Sequence, residues 1–216
     1  PDSGDTFTYS LAGADAEAFE ILGSTLKLKD SVAADYATQS AYAVTVIVTD
    51  SGGSATSQGF TISVTDTNES PTGISLSTSS VVENAAGATV GTLVATDPDS
   101  GDTFTYSLAG ADAEAFEILG STLKLKDSVT ADYEAQSSYA VTVTVTDDGG
   151  LTTSEEFTVS VANINEYPAA IVLSDSLVIE NEVGALVGRL TTTDPDGGDT
   201  VNYSLSGPDA DYFEIS

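Results

Sequence analysis

The segment Tyr139–Thr146 alternates larger apolar residues with alanine or threonine, the period-two pattern of a strand with one buried and one exposed face. Phe157–Val161 shows the same alternation with threonine and serine. Shorter strands are predicted near Ile74 to Val82, Thr89 to Thr96, Phe104 to Leu108, Phe116 to Leu119 and Leu123 to Lys126. Turns rich in glycine, aspartate and serine separate these strands, and a short helical turn is predicted around Ala111 to Ala115. The pattern predicts an all-β fold, an immunoglobulin-like Greek-key β-sandwich of seven strands in about 100 residues.

This fold is predicted to repeat along the chain. Residues 1–32 recur without change at 98–129, and a diverged third copy begins at Pro195, so the period is 97 residues. A period of this length is a whole domain and not one turn of a solenoid. We therefore predict a truncated repeat at 1–67, a complete repeat at 68–164 and a truncated repeat at 165–216, which together form a piece of a longer array.

The chain is strongly acidic, with 34 Asp and Glu residues against 5 Lys and Arg residues and a formal net charge of -29. This charge excludes sequence-independent binding to the phosphates of nucleic acid. The chain has no Cys and no His, so it has no disulfides, no zinc site of thiolate or imidazole, and few of the usual catalytic groups. Three explanations of the acidity stay open: a divalent cation held by oxygen ligands, a surface adapted to high salt, and simple solubility.

Carboxylates recur once per repeat at the ends of the predicted strands. In the middle repeat they are Glu83, Asp97, Asp99, Asp132, Glu134 and Asp147. Strand ends lie at the poles of a sandwich, where loops from different strands meet. Calcium takes about six to eight oxygen ligands, whereas zinc and copper favour imidazole or thiolate. The pattern therefore favours calcium as the cofactor.

The segment Asp97–Asp102 does not match the other common calcium motif. An EF-hand loop that started at Asp97 would need glycine at its sixth position and glutamate at its twelfth. Here Gly101 is the fifth residue and Leu108 is the twelfth. An acidic turn without a metal is the alternative explanation of this segment.

At these residues the chain resembles the cadherin repeat family over essentially its whole length. The resembling motifs are Glu83-Asn84, with Val82 in place of proline; Asp97-Pro98-Asp99; Asp132-Tyr133-Glu134; the linker Asp66-Thr67-Asn68-Glu69-Ser70-Pro71; and Val145-Thr146-Asp147 at the end of the long strand. The resemblance implies cadherin-like repeats with calcium ions between them, held by ligands from the repeat above, the linker and the repeat below.

The resemblance implies a ligand set for each junction. For the junction at Asn68 the set is Asp35, Asp66, Asn68, Glu69, Asp97, Asp99 and Asp147. For the junction at Asn165 it is Glu83, Asp132, Glu134, Asn165, Glu166, Asp194 and Asp196. Both sets depart from the family pattern, because Ala37 stands where the second junction has Glu134, and Asn163 stands where the first has Asp66. The first junction is expected to bind fewer ions, or to bind them more weakly, than an intact one.

The predicted function is a calcium-binding adhesion or spacer module in an extracellular rod, within a larger secreted or membrane-associated protein. The near-identical repeats favour a bacterial source, and the resemblance implies adhesion to the same protein or to another surface protein. The alternative is a carbohydrate-binding module for polysaccharide, with Tyr133, Tyr167 and Tyr212 as candidate platforms. An enzyme is not expected, because catalytic carboxylate pairs are seldom copied once per domain as these are.

Overall fold

The computed structural model describes residues 6–216, and β-strands joined by short turns dominate it. The strands of the first repeat are β1 (Thr8–Ala12), β2 (Phe19–Leu22), β3 (Thr25–Leu28), β4 (Ala41–Thr49) and β5 (Ala55–Ser63). β4 lies between β1 and β5 in an antiparallel sheet. β2 and β3 form a separate hairpin.

The middle repeat contains the two layers of the predicted sandwich. Its strands are β6 (Gly73–Leu76), β7 (Ser80–Val82), β8 (Thr89–Thr96), β9 (Thr105–Ala109), β10 (Phe116–Leu119), β11 (Thr122–Leu125), β12 (Ser138–Thr146) and β13 (Thr152–Ala162). One four-stranded sheet has the order β10-β11-β8-β6, and the other has the order β7-β13-β12-β9. The all-β prediction is confirmed, and all eight strands lie in or within a few residues of the seven predicted segments.

One predicted strand differs from the structure. The single strand expected from Ile74 to Val82 is divided into β6 and β7, which belong to different sheets. At the break, the Ser77 hydroxyl accepts a hydrogen bond from the Thr92 N–H at 2.9 Å, and the Thr78 hydroxyl donates one to the Val90 carbonyl. These hydroxyls satisfy backbone groups of β8 while the chain crosses between sheets, and the apolar pattern alone does not reveal such a crossing.

The third repeat contributes β14 (Ala170–Leu173) and β15 (Leu190–Thr193), which pair antiparallel. A three-residue 3₁₀ helix recurs in each repeat, at Ala16–Ala18, Ala113–Ala115 and Ala210–Tyr212. The second of these lies inside the helical turn predicted around Ala111 to Ala115. No helix in residues 6–216 has the length and hydrophobicity needed to cross a lipid bilayer.

The apolar face of β12 forms much of the core of the middle repeat, as its alternation predicts. The residues of this face are between 0% and 8% exposed: Tyr139, Val141, Val143 and Val145. Tyr139 meets Phe116 edge to face, with ring centroids 5.6 Å apart. Phe19 and Tyr42 make the same contact in the first repeat, also at 5.6 Å. Such aromatic pairs add to the stability gained from burial alone.

The chain divides into two compact units. The first contains the residues up to Ile74 together with 95–105 and 145–153, and the second contains 75–94, 106–144 and 154–216. The acidic loops near Asn68 lie in the first unit, and those near Asn165 lie in the second. All the residues predicted for one junction therefore lie in the same unit. The repeat boundaries at 67/68 and 164/165 stay predictions.

Candidate metal sites at the repeat junctions

Three aspartates that follow β8 form the centre of the first candidate site. Asp97, Asp99 and Asp102 each place one carboxylate oxygen within 4.8 Å of the others. The Asp99 N–H donates to Asp97 Oδ1 at 2.9 Å, a local bond typical of an aspartate turn. The turn therefore presents three carboxylates together at the end of β8.

The linker at Asn68 contacts this acidic loop directly. The Glu69 backbone N–H donates to Asp99 Oδ2 at 2.6 Å, and Asn68 Nδ2 donates to Asp147 Oδ2 at 3.1 Å. Asp147 is only 5% exposed, and its Oδ1 accepts the Leu151 N–H at 2.8 Å. Five of the seven residues predicted for this junction thus lie in one connected set: Asn68, Glu69, Asp97, Asp99 and Asp147.

Hydrogen bonds satisfy only part of the carboxylate cluster that Asp97, Asp99 and Asp102 form in the described part of the chain. Partial burial raises the pKa of Asp102, and repulsion from Asp148, Asp97, Asp99 and Asp147 raises it further. Within the part of the chain that the structure describes, the buried Oδ2 atoms of Asp97 and Asp102 have no hydrogen-bond partner. Buried carboxylate oxygens without partners are costly unless a cation pairs with them. An all-oxygen donor set of this kind fits calcium.

Glu83 organises the upper half of the second candidate site. Its side chain is buried, at 2% exposure, and accepts the Tyr133 N–H at 2.8 Å and the Ile164 N–H at 2.7 Å. These two bonds tie the loop after β11 to the start of the linker. The same loop brings one carboxylate oxygen each of Asp132 and Glu134 within 4.8 Å of Glu83.

The lower half of this site repeats the geometry of the first junction. Asp194, Asp196 and Asp199 again place one oxygen each within 4.8 Å of the others. The Glu166 N–H donates to Asp196 Oδ2 at 2.5 Å, as Glu69 does to Asp99. The Asp196 N–H in turn donates to Asp194 Oδ1 at 3.1 Å.

The two halves of the second site interact electrostatically. Partial burial raises the pKa of Glu134, with further contributions from the charges of Glu83, Asp196 and Glu166. Two amides moderate this repulsion: Asn163 Nδ2 donates to Glu134 Oε1 at 2.9 Å, and Asn84 Nδ2 donates to Glu166 Oε1 at 2.8 Å. Asn163 is the counterpart of Asp66 in the second junction. It therefore carries one negative charge less than Asp66 and donates a hydrogen bond to the carboxylate of Glu134.

Three further predicted ligands, Asp35, Asp66 and Asn165, are not members of these carboxylate clusters. Both oxygens of Asp35 are bonded to Thr38, to its N–H at 3.1 Å and its hydroxyl at 2.8 Å, which lowers the pKa of Asp35. Asp66 is exposed in the linker and belongs to none of the acidic clusters. Asn165 directs its Nδ2 to the Glu166 carbonyl at 2.9 Å, as Asn68 does to the Glu69 carbonyl at 3.2 Å.

Two members of the clusters were missed by the sequence interpretation, Asp102 and Asp199. The Asp-x-Asp motif that carries the resemblance ends at Asp99 and does not include Asp102. A signal was nonetheless present, because Asp102 and Asp199 are separated by the same 97 residues as Asp97 and Asp194.

Comparison with known proteins identifies the repeats. The family model described as "Cadherin domain" matches residues 77–162. The chain consists of cadherin-like repeats. It is 33% identical to human "Cadherin-related family member 2" over 229 aligned residues, which cover 95% of this chain and 17% of that protein. It is 30% identical to mouse "Protocadherin Fat 4" over 198 residues, 85% of this chain and 4% of that protein.

Solved structures support the same fold. The "Protocadherin gammaB7 EC3-6 cis-dimer structure" superposes with a TM-score of 0.64 at 25% identity, over 89% of this chain and 49% of that chain. The "Crystal structure of the Protocadherin GammaB4 extracellular domain" gives 0.64 at 26% identity, over 90% and 32%. Human Protocadherin-24 EC1-2 gives 0.59 at 24% identity over 76% and 85%, a likeness of fold alone.

These comparisons determine the class of the chain. The matches place the chain among cadherin domains and not among enzyme families. The chain spans only a small part of the curated relatives, 17% and 4% of the two named here. Those relatives are from human and mouse, and a bacterial source stays a prediction.

Proposed function

We propose that both junctions bind calcium, and that calcium stiffens the connection between successive cadherin-like repeats in an extracellular adhesive rod. The observation that carries the proposal is the pair of buried oxygens on Asp97 and Asp102, which have no hydrogen-bond partner among the described residues. They lie in a cluster where Asp147 and Asp148 add further negative charge. Without a cation these like charges repel one another, whereas a bound divalent cation turns the repulsion into attraction to a shared centre.

The linker contacts explain how binding would affect rigidity. Glu69 and Glu166 each donate a backbone N–H to an aspartate of the next acidic loop. A cation that fixes Asp99 and Asp196 would also fix the linker backbone bonded to them. Extracellular calcium modules bind with dissociation constants of about 10⁻⁴ to 10⁻³ M, so such sites fill outside the cell and are empty at cytosolic calcium.

The two junctions are not equivalent under this proposal. The second gathers Glu83, Asp132 and Glu134 above its linker, whereas the first has Ala37 in the position of Glu134. We therefore expect fewer ions or weaker binding at the first junction. Homophilic contact with a second copy, or contact with another surface protein, is the form of adhesion that the family relationship favours.

Calorimetric titration tests the calcium proposal. The unsubstituted chain is expected to show saturable calcium binding, and an Asp97→Asn/Asp99→Asn variant is expected to lose the binding of the first junction while that of the second is kept. A Glu155→Gln/Glu156→Gln variant is the matched control, because it removes two charges from an exposed part of β13. Equal binding by all three proteins, or no binding by the unsubstituted chain, would exclude the proposal.

The substitution Asp102→Asn is expected to stabilise the fold without calcium and to weaken the binding of calcium. Because the pKa of Asp102 is raised, its ionised form is disfavoured in the folded chain, and the resulting destabilisation is present at neutral pH and disappears as pH falls below 3.8. Asp102→Asn should therefore raise the thermal unfolding midpoint in chelator at pH 7, while weakening calcium binding. The gain in chelator should vanish near pH 3. A variant that lowers the midpoint in chelator at pH 7 would contradict this explanation.

Polysaccharide binding remains the second candidate. Tyr167 and Tyr212 are 92% and 84% exposed, and Tyr133 is 39% exposed. Exposed tyrosine rings are the platforms on which sugars stack. Titration with soluble polysaccharide distinguishes the candidates, because heat of binding lost in Tyr167→Ala but kept in chelator would favour the carbohydrate function.

A further inference from the structure

Gly149 lies in the turn between β12 and β13, where the sequence has two consecutive glycines. The turn is closed by the Asp147 N–H, which donates to the Leu151 carbonyl at 3.1 Å. Gly150 has φ of 91°, the left-handed conformation that favours glycine. Gly149 lies outside that region. The backbone of the turn thus explains glycine at position 150 and leaves position 149 unexplained.

The side chain of Asn68 accounts for glycine at position 149. A Cβ added to Gly149 would lie 2.5 Å from Asn68 Nδ2 and would overlap Oδ1 and Cγ of the same amide. That amide cannot move away freely, because its Nδ2 donates to Asp147 Oδ2 at 3.1 Å and to the Glu69 carbonyl at 3.2 Å. Relief of the overlap would break the contact between the linker and Asp147.

We propose that Gly149 is a positioning residue for the first junction. Its missing side chain leaves the space in which the Asn68 amide packs against the turn and reaches Asp147. The amide thereby fixes the linker beside the carboxylates that the proposed function assigns to calcium. The effect on calcium rests on that proposed function, whereas the packing of Asn68 against Gly149 does not.

The first repeat supplies a matched control for this proposal. Gly52 is the counterpart of Gly149, 97 residues earlier, and it also lies outside the left-handed region. Among the residues that the structure describes, a Cβ on Gly52 would meet only the side chain of Asp50, at 3.3 Å from Oδ1. Gly52→Ala therefore makes the same chemical change in the same kind of turn without touching a linker asparagine.

Nuclear magnetic resonance of the whole ¹⁵N-labelled chain tests the proposal in two conditions. In chelator, the side-chain amide signals of Asn68 should shift in Gly149→Ala and stay in place in Gly52→Ala. In a calcium titration, the half-saturating concentration read at the backbone amides of Asp147 and Leu151 should rise about tenfold in Gly149→Ala. This is the factor expected when one hydrogen bond to a charged group is lost.

The double variant shows whether Gly149 acts through Asn68. Asn68→Ala alone should weaken calcium binding at the first junction, and Gly149→Ala added to it should cause no further loss. Additive losses, or unchanged Asn68 signals in the Gly149→Ala protein in chelator, would overturn the proposal. If the unsubstituted chain shows no response to calcium, the proposed function fails, and the comparison in chelator still decides the role of Gly149.

Discussion

Replacement of Glu83 by alanine is expected to lower the free energy of unfolding of the chain in chelator by about 3 kcal/mol. The Glu83 carboxylate is 2% exposed and accepts two backbone N–H groups, from Tyr133 and Ile164. Each hydrogen bond to a charged group contributes about 1.5 to 3 kcal/mol, and donors left without a partner add to the loss. With a urea m-value of about 1 to 3 kcal/mol/M, the unfolding midpoint should fall by about 1 to 3 M.

The third repeat contains the control for this substitution. Glu180 is the counterpart of Glu83, 97 residues later, but it is exposed. Glu180→Ala should change the free energy of unfolding by less than about 0.5 kcal/mol, as surface substitutions usually do. Equal losses for Glu83→Ala and Glu180→Ala would show that the two backbone bonds to Glu83 do not stabilise the repeat.

The fold could be predicted closely from the sequence, because a strand buried on one face determines its residue pattern directly. In β12, every second residue from Tyr139 to Val145 had to be apolar, and each of these residues is buried. The crossing between β6 and β7 could not be predicted in this way. The crossing depends on hydroxyl contacts from Ser77 and Thr78 to another strand. In the sequence, a serine or threonine that makes such a contact looks the same as one on the exposed face of a strand.

The candidate sites could be predicted only in part. The sequence predicted that carboxylates at strand ends would come together, and the structure places Asp97 with Asp99 in one cluster and Glu83 with Asp132 and Glu134 in another. Spacing along the chain does not give distances between side chains, and Asp35 shows the limit: it is the counterpart of Asp132, yet its oxygens are both bonded to Thr38. In the second junction Glu134 extends the cluster around Asp132. Ala37 offers no carboxylate at the corresponding position in the first.

Removal of calcium is expected to have a large effect on stability and on proteolysis. A site with a dissociation constant of about 10⁻⁴ M gains about 2.7 kcal/mol at a calcium concentration about 100 times higher. For a domain of about 100 residues this corresponds to a rise of about 10 to 20 °C in the unfolding midpoint relative to chelator. Calorimetric scans in calcium and in chelator measure this difference, and coinciding midpoints would contradict calcium binding at either junction.

Cleavage by a protease specific for glutamate tests whether calcium fixes the two linkers. Glu69 and Glu166 lie in the two linkers, and their backbone N–H groups bond Asp99 and Asp196. Cleavage after these residues should be rapid in chelator and slow in calcium, because cleavage requires the linker to leave the acidic loop.

Sodium chloride at the same ionic strength separates the explanations of the acidity: screening relieves repulsion between exposed charges but cannot bridge the buried oxygens of Asp97 and Asp102. Protection by calcium alone indicates a specific site, whereas equal protection by sodium chloride indicates a surface adapted to salt.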